Sequence, residues 1–227
     1  NWLEAIPVIT TATDINGVFA VDSWARRQGL TVANPERIKW VAARLLAGEE
    51  LRLKSVFPVA GALPAGITLC EEDYDVLISH RIRGRMEALR LVPPVLSLGI
   101  GCRKDTPCEA IEEAYRLMLR KVGCQPAAIR QICSIDRKAQ EPGILEFCRR
   151  HALPYRTFSA AELAGAPGAF SSSAFVKSVT GVDNIGERSA VLGSGGQLLT
   201  KKEAGHGITM ALAIAPYTVR FAEGDEA

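Results

Sequence analysis

Apolar positions in this chain come in two patterns: short continuous runs, which mark buried strands, and stripes at helical spacing, which mark amphipathic helices. From residue 95 onward the two alternate. Runs at Val95–Ile100, Ile129–Ser134 and Tyr155–Phe158 predict strands. Between them, Ile111, Ala114, Tyr115, Met118 and Val122 form one stripe of a helix over Pro107–Val122, stopped by Gly123. Further helices are expected at Gly143–His151, in a short segment capped by Ser159 and Glu162, and at Asn184–Leu192. Two last strands fall around Gln197–Thr200 and Ile208–Ala215. Strands alternating with helices predict an α/β unit with a mostly parallel sheet and helices on both faces.

Residues 1–92 read as a first, small α/β unit. Ile6–Ile9 predicts a short strand, followed by the polar loop Thr10–Asp14. Helices are expected over Val18–Gln28 and after Asn34-Pro35, the second with Ile38, Val41, Ala42 and Leu45 on one face. Leu51–Phe57 and Asp75–Ser79 predict strands, joined by a connection rich in glycine and proline. Val92-Pro93-Pro94 reads as the linker, so the expected domains are 1–92 and 95–221.

Composition narrows the function. Nearly half of the 227 residues are apolar, enough for packed cores, and 27 basic against 25 acidic residues leave a net charge of +2. That balance argues against a nucleic-acid partner, which calls for a strong basic excess. No apolar run approaches the length of a membrane span, and the first residues lack a signal-peptide pattern, so a cytoplasmic protein is expected. Six cysteines without a C-x-x-C pair read as reduced, small apolar side chains. With histidines only at 80, 151 and 206, the pattern argues against a protein-built zinc site.

Candidate chemistry concentrates at LGIGCRKDTPCE, Leu98–Glu109. Gly99 and Gly101 bracket an expected turn after a strand, Arg103 and Lys104 add two charges, and Thr106, Pro107 and Glu109 suggest a capping box. A strand, a glycine-bearing turn and a helix start can cradle an anion through backbone N–H groups. The alternative is a tight turn with no ligand. A dinucleotide fingerprint fails, because Lys104 takes the third glycine position, and no Walker A motif is present. Asp183 and Glu187 share a helical face, either as the acidic start of a helix or as an ionised general base. Lys201 and Lys202 read as a solvated hairpin turn or as further carboxylate contacts, with His206 nearby. Cys102, close to cations and a helix start, is a conceivable thiolate nucleophile. The loop with Thr13 and Asp14 is a further polar candidate.

These residues carry a family resemblance. PVITTATDINGVFAVDSWA at 7–25, LGIGCRKDTPCEAIEEA at 98–114, SVTGVDNIGERSAVL and LLTKKEAGHGITMALA together resemble the cobalt-precorrin-5A hydrolase family of anaerobic cobalamin biosynthesis. The later part also resembles the stand-alone accessory protein of the aerobic pathway. Family members carry an N-terminal domain ahead of PVITTATD, which is expected to be absent here. The resemblance implies hydrolysis of the δ-lactone of a cobalt corrin precursor, with release of acetaldehyde. It implies no cofactor beyond the cobalt that the substrate brings. Other enzymes of the pathway are possible partners, and neither nucleic acid nor a membrane is expected. Gly99, Gly101, Cys102, Arg103, Lys104, Thr106, Asp183, Lys202, Thr13 and Asp14 would then bind the substrate, with backbone N–H groups, Arg103 and Lys104 holding its carboxylates. Water would be activated by Glu187, or by His206, with an oxyanion held near Gly101-Cys102. On that reading Glu187→Gln abolishes turnover and spares binding. The alternative is a non-catalytic corrinoid-binding or accessory module.

Overall fold

The structure is a computed structural model that describes residues 18–170, 182–205 and 207–221. The described residues divide into two compact units. Residues 18–79, 84–93 and 218–221 make the first, and 80–83 with 94–170, 182–205 and 207–217 make the second. The expected strand at Ile6–Ile9 lies outside the described residues.

In the first unit, α1 (Val21–Arg27) precedes β1 (Thr31–Val32), and α2 (Ile38–Leu46) follows a single 3-10 turn at Pro35–Arg37. Asn34 does not cap that turn. Its amide instead donates to the Ala88 carbonyl and accepts from the Arg90 N–H, at 2.9 and 2.8 Å, mimicking a strand partner. The strands are β2 (Leu51–Ser55), β3 (Val59–Ala60), β4 (Ile67–Leu69), β5 (Val76–Ile78) and β6 (Leu89–Val92). The connection expected between Phe57 and Asp75 thus contains two short strands of its own. The sheet order is β1-β6-β5-β2-β4, parallel except at the β1 edge. Trp24, fully buried, stacks on Phe221 with ring centroids 4.6 Å apart.

The second unit runs β7 (Leu96–Cys102), α3 (Cys108–Val122), β8 (Ile129–Ile135), α4 (Pro142–His151), β9 (Tyr155–Phe158), α5 (Ala160–Ala164), α6 (Ile185–Ser194), β10 (Gln197–Gly205) and β11 (Ile208–Ile214). The α/β class is as expected, and α5 has the expected Ser159–Glu162 capping box. β7, β8 and β9 are parallel, while β10 and β11 form an antiparallel hairpin on the β7 edge. The last strand, β12 (Val219–Arg220), pairs with β3 of the first unit instead of ending the second.

The sheet's two faces differ in side-chain size, and that difference places the helices. Strand alternation sends Leu96, Leu98 and Ile100 to one face and Ser97, Gly99 and Gly101 to the other. Their partners on β11 repeat the division: Ile208, Met210 and Leu212 share the first face, and Thr209, Ala211 and Ala213 the second. α6 lies on the small-residue face. A Cβ on Gly99 would stand 1.8 Å from the Gly186 carbonyl oxygen, and one on Gly193 would stand 2.3 Å from the Cys133 sulfur. α3 lies against β11, with α4 beside it through the Tyr115–Phe147 edge contact at 5.2 Å.

Candidate functional site

Two of the parallel strands end in an Arg-Lys pair. β7 runs out at Cys102 into Arg103 and Lys104, and β8 runs out at Ile135 into a 3-10 turn ending in Arg137 and Lys138. Ligands of open α/β sheets bind beyond the carboxyl ends of the strands, and both pairs sit there. Lys202, on β10, faces the same space. Together with Gly101, Cys102, Asn184, Ile185 and the hairpin end, these side chains line a cleft of about 500 Å³. Five cations and no carboxylate belong to its described lining. The Lys138 ammonium is held by a neighbouring acid, Glu141 at 2.6 Å, whose carboxylate is almost wholly buried. Walls of one sign around a concave, partly apolar space concentrate positive potential, so the cleft suits a polyanion.

Several expectations change on this geometry. Gly99 and Gly101 form no turn: both are strand residues, and neither is among the glycines with positive φ. Gly99 is buried beneath α6 and does not line the cleft, whereas Gly101 does. Gly101 and Cys102 are paired against Thr209 and Ile208, and the Arg103 N–H donates to the Gly207 carbonyl at 3.2 Å. The stretch is therefore a ladder and not an open cradle of N–H groups. The turn comes later, with Asp105 in the left-handed region, and it is closed by the Thr106 hydroxyl donating to the Arg103 carbonyl at 2.8 Å. That bond takes the hydroxyl away from the capping box expected for α3, which starts after Pro107 without a side-chain cap. Neither Thr106 nor the first turn of α3 lines the cleft.

Asp183 is also elsewhere. Its carboxylate accepts from both Nη2 and Nε of Arg188, at 2.8 and 3.1 Å, and Arg188 in turn donates to the Leu163 carbonyl. Asn184 stands between Asp183 and α6 in the left-handed region, so Asp183 and Glu187 do not share a helical face. Asn184 does cap α6, accepting from the Glu187 N–H at 3.2 Å. Glu187 itself is fully buried behind the cleft wall, where its Oε1 accepts the Lys202 backbone N–H at 2.7 Å. Lys201 and Lys202 are strand residues, because β10 continues to Gly205. Lys202 faces the cleft, while Glu203 turns the other way and pairs with Lys121 of α3 at 2.8 Å. Burial pushes the Cys102 thiol up, outweighing the Lys138 charge, so the thiolate that a nucleophile needs is disfavoured. Thr13, Asp14 and His206 lie outside the described residues.

Arg137, Lys138, Asn184 and Ile185 are lining residues that sequence reading did not assign to the site. Their signal was available: IDRK follows the second strand as GCRK follows the first. Among the described residues no three His, Cys, Asp or Glu side chains gather to hold a metal ion. No described helix is long and apolar enough to cross a membrane.

The cleft sits in a stretch with a clear ancestry. Residues 96–213 match the family described as Cobalamin synthesis G C-terminus. This chain belongs to that family. It is 29% identical over 230 residues to the cobalt-precorrin-5A hydrolase of Salmonella typhimurium, covering 95% of this chain and 66% of that protein. The corresponding hydrolase of Priestia megaterium is 27% identical, covering 95% of this chain and 63% of its own length. The chain thus spans just under two thirds of these relatives. Among solved structures it resembles CobE, a protein from the cobalamin (vitamin B12) biosynthetic pathway. That likeness has a TM-score of 0.50 and 29% identity, covering 54% of this chain and 91% of CobE. Every described cleft residue falls within residues 101–209, inside the span that defines the family.

Proposed function

We propose that this chain takes part in the hydrolysis of cobalt-precorrin-5A during cobalamin biosynthesis, with the five-cation cleft as its substrate-binding surface. The observation that carries the reading is the convergence of Arg103, Lys104, Arg137, Lys138 and Lys202 on one cleft within the family-matched stretch. The substrate is a flat macrocycle edged with acetate and propionate carboxylates. Guanidinium groups accept such carboxylates in a forked geometry, and ammonium groups meet them as mobile point charges. The apolar part of the lining, Ile135, Ile185 and Ile208, offers contact to the ring edge between those charges. Cobalt enters with the substrate. Lactone opening consumes one water and develops negative charge on the carbonyl oxygen, and the cleft's guanidinium and ammonium groups are donors toward such an oxyanion. Release of acetaldehyde then follows from C–C cleavage of the opened intermediate.

A second reading, a corrinoid-binding module without turnover, is favoured by one observation: the match to CobE covers 91% of that protein but only 54% of this chain. Anaerobic incubation with cobalt-precorrin-5A separates the two. Acetaldehyde above the protein-free rate supports hydrolysis by this chain. A change in corrinoid absorbance without acetaldehyde supports the binding module. Neither signal would overturn both readings.

A further inference from the structure

β10 reaches the cleft only through an irregular path. Along its ladder with β11, Thr200 pairs with Leu212 and Glu203 with Met210, so two residues on β10, Lys201 and Lys202, stand opposite the single Ala211. Such a bulge takes an extra residue out of regular pairing and re-aims the side chains beside it. The backbone N–H of Lys202 is accepted by a side chain, the Glu187 carboxylate, at 2.7 Å. Glu187 is fully buried in the first turn of α6, and α6 is locked onto the sheet by the close approach of Gly186 to Gly99. A rigid helix therefore carries the acceptor that meets the bulge. Alternation then sends Lys202 into the cleft and Glu203 to Lys121 on the far side. A slip of one residue would exchange these directions and place the acidic Glu203 or the neighbouring Lys201 at the cleft instead.

We infer that Glu187 is a positioning residue, whose buried carboxylate pins the β10 bulge and thereby fixes Lys202 in the cationic cleft. The inference deepens the proposed function and rests on the cleft being the substrate-binding surface. It also replaces the role of general base, for which a group behind the wall, already engaged with a backbone N–H, is poorly placed.

Two substitutions separate the roles. Glu187→Gln keeps an oxygen that can accept from the Lys202 N–H, and Glu187→Ala removes it. With cobalt-precorrin-5A titrated anaerobically against each variant, Glu187→Gln binds within about threefold of the parent, while Glu187→Ala and Lys202→Ala each weaken binding by about tenfold. The double variant is no weaker than Lys202→Ala alone, since both changes remove one interaction. Hydrogen exchange at the Lys202 amide gives a readout that needs no corrinoid: protection in the parent and in Glu187→Gln, and its loss in Glu187→Ala. Parent-like binding by Glu187→Ala, with Lys202→Ala weakened, overturns the positioning role and leaves the cleft standing. Parent-like binding by both Lys202→Ala and Arg103→Ala overturns the cleft itself. Turnover abolished in Glu187→Gln with binding intact makes Glu187 the base and overturns the inference. If Glu187→Ala does not fold, the Gln variant's binding and amide exchange decide alone.

Discussion

Replacing Gly99 by alanine distinguishes two roles for the same residue. As part of an anion cradle, Gly99 would tolerate a methyl group in the unliganded fold and lose only ligand. As a packing glycine beneath α6, it tolerates none. The added Cβ would stand 1.8 Å from the Gly186 carbonyl oxygen and 2.8 Å from the Ser189 hydroxyl. The carbonyl belongs to helix backbone, so no rotamer change relieves the contact. To restore an ordinary separation of 3.4 Å from 1.8 Å, α6 would have to recede by about 1.6 Å. That withdrawal also loosens Gly193 from Cys133 and Ala190 from Ala213, contacts made along the same helix. Overpacking of this kind costs about 3 kcal/mol, the upper part of its usual range. For a chain of this size, that lowers Tm by roughly 6–12 °C.

Calorimetry is the suitable assay, since it follows the unfolding of the second unit without depending on Trp24 and Trp40, which lie in the first. Gly101→Ala is the internal control. Its Cβ would meet the Thr209 hydroxyl at 2.6 Å, a side chain that can turn away, so the expected cost is about 1 kcal/mol. Hydrogen exchange across Ile185–Ser194 should rise in Gly99→Ala and stay near the parent's in Gly101→Ala. A Gly99→Ala chain with unchanged Tm and parent-like protection of α6 would refute the packing account.

Four further outcomes follow from the same structure. Binding of the corrinoid should weaken as salt rises, and Arg103→Ala or Arg137→Ala should each cost about tenfold in affinity and flatten the salt dependence; affinity insensitive to salt would contradict a cation-lined site. Cys102 should alkylate no faster at pH 7 than an ordinary thiol, because burial pushes its pKa up; rapid labelling by iodoacetamide there would contradict the assignment. His80 is buried beside Arg81, with burial the larger effect, and its pKa is lowered from 6.5 to about 4. The unfolded chain therefore binds the extra proton first, so stability should fall as pH drops from about 6.5 to about 4, and His80→Gln should flatten that slope in urea melts. In the first unit, Asp75 accepts from Arg44 at 2.8 Å and from the Arg52 N–H at 2.8 Å, so Asp75→Ala should lower stability by about 2 kcal/mol, read from the denaturant midpoint.

What could be read from the chain alone was local. Helical stripes, the Gly123 stop and the Ser159–Glu162 box concern residues within a turn or two of each other, and they placed α3, α4 and α5 close to their observed positions. LSLGIG even displays its strand, because large and small residues alternate with period two. Read as a nucleotide-loop pattern, however, the same glycines suggested a turn. Only packing shows why they are small: a helix almost ninety residues later presses Gly186 against Gly99. Local competition for hydrogen bonds was equally invisible, since Thr106 and Asn34 both have cap-forming side chains and both spend them on other backbone groups. The cleft is the clearest case. Arg103-Lys104, Arg137-Lys138 and Lys202 are unremarkable basic pairs in a nearly neutral sequence. Parallel pairing of β7 with β8 brings the first two pairs to the same end of the sheet, and a bulge held by a buried carboxylate adds the fifth charge. Sequence thus determined which stretches became strands and helices and which residues could bear charge. Tertiary structure decided which charges face one another, because that depends on strand order, register and helix packing between residues far apart in the chain.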